Sequence, residues 1–198
     1  GEDHVTNTAA RIELFEALGG PVPDFAHLAL LIGADGESLS KRLGSLSLEN
    51  LRDEGIEPLA VAALLARLGT SRPVEAAASL AALSEGFDFA QFGRAPARYD
   101  PAELAALSAR VIHQLPFAAV ADRLPEGADE AFWLAIRANL AKVADAADWL
   151  KIVRGPVTPV VAEPEFLAAA AAALPEAFDA GTWTAWTAAL KAGTGRKG

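Results

Sequence analysis

From residue 47 onward one pattern recurs: a capping residue, an apolar-rich stretch, then a glycine or proline that ends it. Ser47 precedes "LENLRDEG", which ends at Gly55, and Pro58 opens "PLAVAALLARLG", which ends at Gly69. Asp100-Pro101-Ala102-Glu103 heads a run that closes before Pro116; Asp100 suits the N-cap, Pro101 the first helical position and Glu103 the far side of a capping box. Start and stop signals placed this densely specify short helices. Hydrophobic residues make up 52% of the chain and charged residues 22%. Much of the apolar content is alanine, which favours helix strongly but buries little area per residue. The expected fold class is therefore mainly α, with closely approaching helices.

The segment before residue 47 reads differently. Residues 6–18 carry apolar side chains at helical spacing and stop at Gly19-Gly20. "FAHLALLI" (25–32), bounded by Pro23 and Gly33, reads as a buried strand. Beyond the short helices, "SRPVEAAASLAALSEGFD" is expected to continue as helix to Gly86. The polar "GRAPARYD" (93–100) reads as a subdomain boundary. "DEAFWLAIRANLAKVADAADWLKIV" (129–153) is expected to be the longest helix, opened by Asp129. In the last helix Thr182 is the expected N-cap.

Several functional classes are disfavoured. The chain has no cysteine, so disulfides and thiolate chemistry are excluded for it. His4, His27 and His113 lie far apart without ligand spacing, and no metal site is expected. A net charge of −9 argues against non-specific binding to DNA, other nucleic acid or anionic membranes. It leaves open specific RNA binding through a local basic patch. Without an apolar run of membrane length or a signal peptide, a cytoplasmic setting is expected. Methionine is absent even at the first position, and both ends look cut, so the chain reads as a piece of a longer protein.

Within this frame one stretch is out of place. "GADGESLSKRLGS" (33–45) offers glycines for sharp turns, the hydroxyls of Ser38 and Ser40, the mobile charge of Lys41 and the planar fork of Arg42. Serines, a lysine and successive backbone N–H groups suit a polyphosphate, although no Walker A pattern is present. On chemistry alone the alternative is a solvated turn between a strand and a helix.

"SLSKR" resembles the second signature of the class I aminoacyl-tRNA synthetases, which in the glutamyl-tRNA synthetases takes the form K-[LI]-S-K-R. Residues 1–69 resemble the bacterial glutamyl-tRNA synthetase segment along their length, and "AFWLAIRANLAKVADAADWLKIVRGP" and "FDAGTWTAWTAALKAGTGRKG" resemble its helical anticodon-binding region. The resemblance implies a remnant of a Rossmann-type α/β domain over 1–35, a signature loop and helical stem-contact region over 36–95, and an incomplete α-helical anticodon-binding domain over 96–198. It implies glutamate, ATP with Mg2+, and tRNA(Glu) as partners, and a monomer.

Carried over by motif, Lys41 is the catalytic candidate, holding the triphosphate as AMP transfers to glutamate. Ser40 and Arg42 join it as nucleotide-binding candidates. Asp3 in "GEDH" matches an acidic position facing the nucleotide, and Leu31 in "ALLIG" matches one lining the adenine pocket. Their plainer readings are a helix-entry residue for Asp3 and simple core for Leu31. The family's first signature lysine is Ser38 here, which removes one positive charge. The H-x-G-H signature is absent, so this chain alone is expected to be inactive as a glutamate–tRNA ligase. The competing reading is a non-catalytic tRNA-binding or helical protein-interaction module. For RNA contact the candidates are Arg137, Lys142, Lys151 and Arg154. Arg137 and Lys151 are expected on nearly one face of the long helix. Trp133 and Trp186 are expected in the core, with Trp149 and Trp183 also able to stack.

Overall fold

The computed structural model describes residues 1–37, 39 and 47–195. These form two compact units, Gly1–Arg154 and Gly155–Gly198.

The first unit begins with a 3₁₀ turn, Glu2–His4, running into helix α1, Val5–Ala17. Strand β1, Leu31–Gly33, pairs in parallel with β2, Ala97–Tyr99, in the register Leu31↔Ala97, Ile32↔Arg98 and Gly33↔Tyr99. Between and after the strands come α2 (Leu48–Asp53), α3 (Pro58–Leu65), α4 (Leu80–Glu85), α5 (Pro101–Ile112), α6 (Glu130–Ile136) and α7 (Ala146–Arg154). The caps act as their chemistry requires. Ser47 accepts from the Asn50 N–H, Asp100 from Ala102 and Asp129 from Phe132. Gly55 and Gly69 lie at φ +76° and +87°, where a residue with a Cβ would be strained; Gly55 directly follows the C-cap of α2, and Gly69 closes the turn after α3.

Two apolar clusters hold this unit. In the first, Leu51, Ala60, Ala63, Leu64, Leu104, Leu107 and Val111 pack α2, α3 and α5 together, with Leu83 and Tyr99 added from α4 and β2. Alanines on α3 are fully buried, so α3 and α5 approach closely. In the second, Ile112, Val120, Trp133, Ile136, Leu140, Val143 and Ala146 pack around the tryptophan. Its indole Nε1 donates to the Leu115 carbonyl at 2.9 Å. An ionic tie with one buried partner, Glu57, braces the helices: Arg123 donates to both carboxylate oxygens of Glu57 (2.8 and 3.3 Å), and the Glu57 N–H donates to the Ser108 hydroxyl at 2.9 Å.

The second unit contains α8 (Pro164–Ala172) and α9 (Thr182–Thr194). Trp186 is half-buried and donates from Nε1 to the Ala170 carbonyl at 2.8 Å. Trp183 is 70% exposed. Asp179 shapes the start of α9, accepting from the Thr182 hydroxyl and the Gly181 N–H, and these bonds hold its carboxyl below the usual range. The N-cap is thus Gly181, without a side-chain capping bond, rather than the expected Thr182.

Four sequence expectations are corrected. The strand expected over 25–32 forms only at 31–33, because its first half is bonded to the chain's opening segment. Leu28 accepts from the Glu2 N–H, and the His27 ring reaches Thr8 Oγ1 and the Gly1 carbonyl. The boundary expected at 93–100 instead supplies β2 and buries Tyr99, and the compact units divide after Arg154. The helix expected from 71 starts only at Leu80, where Ser79 caps it, while Val74, Ala76 and Ala77 pack on the first cluster as irregular chain. The long helix of 129–153 is interrupted between α6 and α7. Leu140 and Lys142 are extended, and the Asp145 carboxylate accepts from the N–H groups of Ala141 and Lys142. Arg137 and Lys151 therefore do not share one continuous helix.

Candidate functional site: the turn that leads into the signature loop

Strand β1 delivers the chain into a tight turn. The Gly33 N–H donates to the Glu37 carbonyl at 2.8 Å, the Gly36 N–H to the Gly33 carbonyl at 2.9 Å, and the Glu37 N–H to Asp35 Oδ1 at 2.9 Å. Gly36 at φ +87° permits the reversal. A methyl group on Gly33 would stand 2.6 Å from Asp35 Oδ1, so both glycines serve the turn directly. Beyond it, Leu39 is half-buried and packs against the first apolar cluster. The middle of the signature is thus tied to the helical core two residues before Lys41. Ser38, Ser40, Lys41 and Arg42 lie outside the described residues.

The remaining candidates fall on the same edge of the unit. Leu31 is half-buried in β1. Asp3 lies in the opening 3₁₀ turn with its side chain half-exposed and Oδ2 3.5 Å from His4 Nε2. Gly1 and Glu2 contact residues 28–30, which brings the Asp3 turn beside the strand that carries Leu31. The structure thus gathers Asp3, Leu31 and the entry to the signature along one edge.

The residue that sequence reasoning missed is Arg98. It alternates with buried Ala97 and Tyr99 on β2, so its side chain faces away from the core. Its Nη1 donates to the Ala34 carbonyl at 2.9 Å, across 64 residues of sequence. The guanidinium also lies 3.8–3.9 Å from where a Cβ on Gly36 would stand. The only available signal was the alternation of "ARY", which read as part of a linker.

The basic residues Arg137, Lys151 and Arg154 each have a partner within the chain. Arg137 donates to the Leu115 carbonyl at 2.9 Å, Arg154 to the Gly127 carbonyl at 2.6 Å, and Lys151 pairs with Asp148 at 2.8 Å. Trp133 is fully buried, as expected. A cleft of about 610 Å³ in this unit is lined mainly by apolar residues of α2 and α3. Its charged groups Glu57 and Arg123 already pair with each other, and neither Asp3 nor Leu31 lines it. Among the described residues no cluster of His, Asp and Glu could hold a metal, and no helix is long and apolar enough to cross a membrane.

Comparison with known proteins gives this edge a context. Residues 1–92 match the family described as tRNA synthetases class I (E and Q), catalytic domain. The chain is 57% identical over its whole length to glutamate–tRNA ligase 2 of Methylorubrum populi and 59% identical to glutamate–tRNA ligase 1 of Rhizorhabdus wittichii, covering 45% of each. Over its whole length the chain is similar to part of these glutamate–tRNA ligases. It spans about half the length of the curated relatives it matches. In fold it is similar to the crystal structure of a glutamate tRNA ligase from Elizabethkingia meningosepticum, with a TM-score of 0.66 at 20% identity over the whole chain and 47% of that structure. The matched family description is that of a catalytic domain and runs through residue 92, past the expected Rossmann limit at 35. The expected anticodon-binding domain over 96–198 draws no support from it.

Proposed function

We propose that the protein containing this chain is a glutamate–tRNA ligase, and that the edge formed by Asp3, Leu31 and the 33–37 turn, from which the chain runs on to Lys41, faces its ATP. The observation that carries this reading is the S-L-S-K-R signature, entered from a parallel strand through a glycine turn and anchored by Leu39. Whole-length identity above 50% to glutamate–tRNA ligases supports it.

The reaction proposed has two steps. A carboxylate oxygen of glutamate attacks the α-phosphorus of ATP, and pyrophosphate leaves with the electrons of the broken P–O bond. A ribose hydroxyl at the tRNA 3′ end then attacks the acyl carbon, and AMP leaves. Lys41 would neutralise charge on the triphosphate in the first step, the kind of contribution fixed cations make to phosphoryl transition states. Ser40 and Arg42 would supply further donors, with Mg2+ arriving on the nucleotide's phosphates. Leu31 offers an apolar surface for the base, and Asp3 a hydrogen-bond acceptor near it. With Ser38 in place of a lysine, Lys41 carries more of that load.

The Rossmann-type end expected over 1–35 belongs to the same proposal. So does the setting, a cytoplasmic monomer with no DNA partner.

The test is pyrophosphate exchange by the longer protein with a panel of amino acids, followed by charging of tRNA(Glu). Glutamate-dependent exchange, and transfer of glutamate to tRNA(Glu), are expected. Exchange with another amino acid alone, or none with glutamate, would overturn the assignment. In the competing reading as an RNA-binding module, tRNA(Glu) would bind without any exchange.

A further inference from the structure

We propose that Arg98 is a positioning residue for the nucleotide-facing loop: its guanidinium holds the Gly33–Glu37 turn by the Ala34 carbonyl and so sets where the chain enters the signature. This inference rests on the assignment of the 33–37 turn, from which the chain runs on to Lys41, to the ATP-facing edge.

Three observations converge on it. The hydrogen bond from Nη1 to Ala34 O is 2.9 Å and links residues far apart in sequence, so it joins the turn to a separate strand. Parallel pairing fixes the Arg98 backbone opposite Ile32, one residue before the turn begins, so the arginine is carried on a rigid element. Gly36 leaves its own face open to the guanidinium, whose two terminal nitrogens lie 3.8 and 3.9 Å from the position a Cβ would take. Gly33 is held by its pairing with Tyr99, and beyond it the bonds from the Gly36 and Glu37 N–H groups run within residues 33–37, so the Arg98 bond ties the turn past Gly33 to the sheet. Leu39 supplies a second anchor on the far side of Ser38. Ala34 and Leu39, six residues and one residue before Ser40, are both held, and in this proposal they set the path by which the chain approaches Lys41. Electrostatic help to a transition state depends on such placement, because a displaced cation loses most of its effect. An arginine suits the task because a charged donor to a carbonyl outlasts a neutral one on an exposed edge.

The experiment uses the longer protein in glutamate-dependent pyrophosphate exchange, comparing the wild type with Lys41→Ala, Arg98→Ala, Arg98→Gln and Arg98→Lys. For Arg98→Ala and Arg98→Gln, kcat is expected to fall about tenfold, the loss typical of one charge-assisted hydrogen bond. KM for glutamate should stay within about twofold, since only the transition-state contact is disturbed. Arg98→Lys, which keeps a charged donor, should recover most of the rate. The melting temperature should not move, because Arg98 is exposed. If Lys41→Ala lowers exchange but both neutral Arg98 variants match the wild type, the positioning role is refuted and the site assignment stands. If Lys41→Ala also matches the wild type, the assignment of the loop itself fails. A loss in the neutral variants with an equal rise in glutamate KM, and no recovery in Arg98→Lys, would mean general disruption and would likewise refute the positioning role.

Discussion

Residues 1–37 and residues 51–146 belong to one compact unit but are held by different physics. Between Leu51 and Ala146 the helices bury a continuous set of apolar side chains, including fully buried Trp133, Leu107 and Val120. In residues 1–37 the one buried residue is a threonine, Thr8, and Leu14 of α1 and Leu18 just after it are more than half exposed. That opening region is fastened by specific hydrogen bonds instead: Thr8 to His27, Glu2 to Leu28, Arg98 to Ala34. The candidate site lies on the hydrogen-bonded region, and stability resides in the packed one. Changes in the first should therefore alter chemistry with little cost in stability, and changes in the second the reverse.

The strongest way to break this contrast is a paired truncation. Trp133→Ala should destabilise the 198-residue chain by about 3–5 kcal/mol in denaturant unfolding, from lost packing of a fully buried side chain and of its bond to the Leu115 carbonyl. Leu14→Ala on α1 should change stability by less than about 0.5 kcal/mol. Comparable losses would show that the opening region has a core of its own. A smaller effect is expected at the ionic tie. Arg123→Ala leaves the Glu57 carboxylate buried without its partner and should cost about 1–3 kcal/mol, reduced because Arg123 is itself partly exposed. A smaller effect still should appear at Tyr99, where the two regions meet. Burial pushes its hydroxyl pKa up, and the carboxylates of Glu54 and Asp100 add to the rise. The folded state therefore keeps this proton more tightly than the unfolded chain. The stability it contributes is complete below the ordinary tyrosine range and is lost as pH climbs through the raised value. Because the chain has one tyrosine, tyrosinate absorbance reads this group alone, and its midpoint should lie above about 10 in the folded protein and fall on unfolding.

The same contrast explains how much could be read from the sequence. Helix starts at Ser47, Pro58, Asp100 and Asp129 were readable because a cap is a local interaction between neighbours. The burial of Trp133 followed from its apolar helical setting. What failed was non-local. Nothing within "FAHLALLI" reports that Leu28 is bonded to Glu2, and nothing within "GRAPARYD" reports that Ala97 and Tyr99 complete a sheet with residues 31–33. The break after α6 depends on the Asp145 carboxylate reaching back to two N–H groups, a contact that helical periodicity passes over. At the site, the chemistry of "SLSKR" was readable as phosphate-suited, and Asp3 and Leu31 were found by resemblance. The contribution of Arg98 required the fold, because its partner lies 64 residues away.

The most direct test of this separation is single-turnover formation of glutamyl-adenylate by the Lys41→Ala form of the longer protein, with its melting temperature measured alongside. The account predicts adenylate formation slowed by about a hundredfold or more, as for loss of a cation that stabilises developing charge, with the melting temperature unchanged. Adenylate formed within about twofold of the wild-type rate, or a collapse of the melting temperature that accounts for the lost rate, would contradict it.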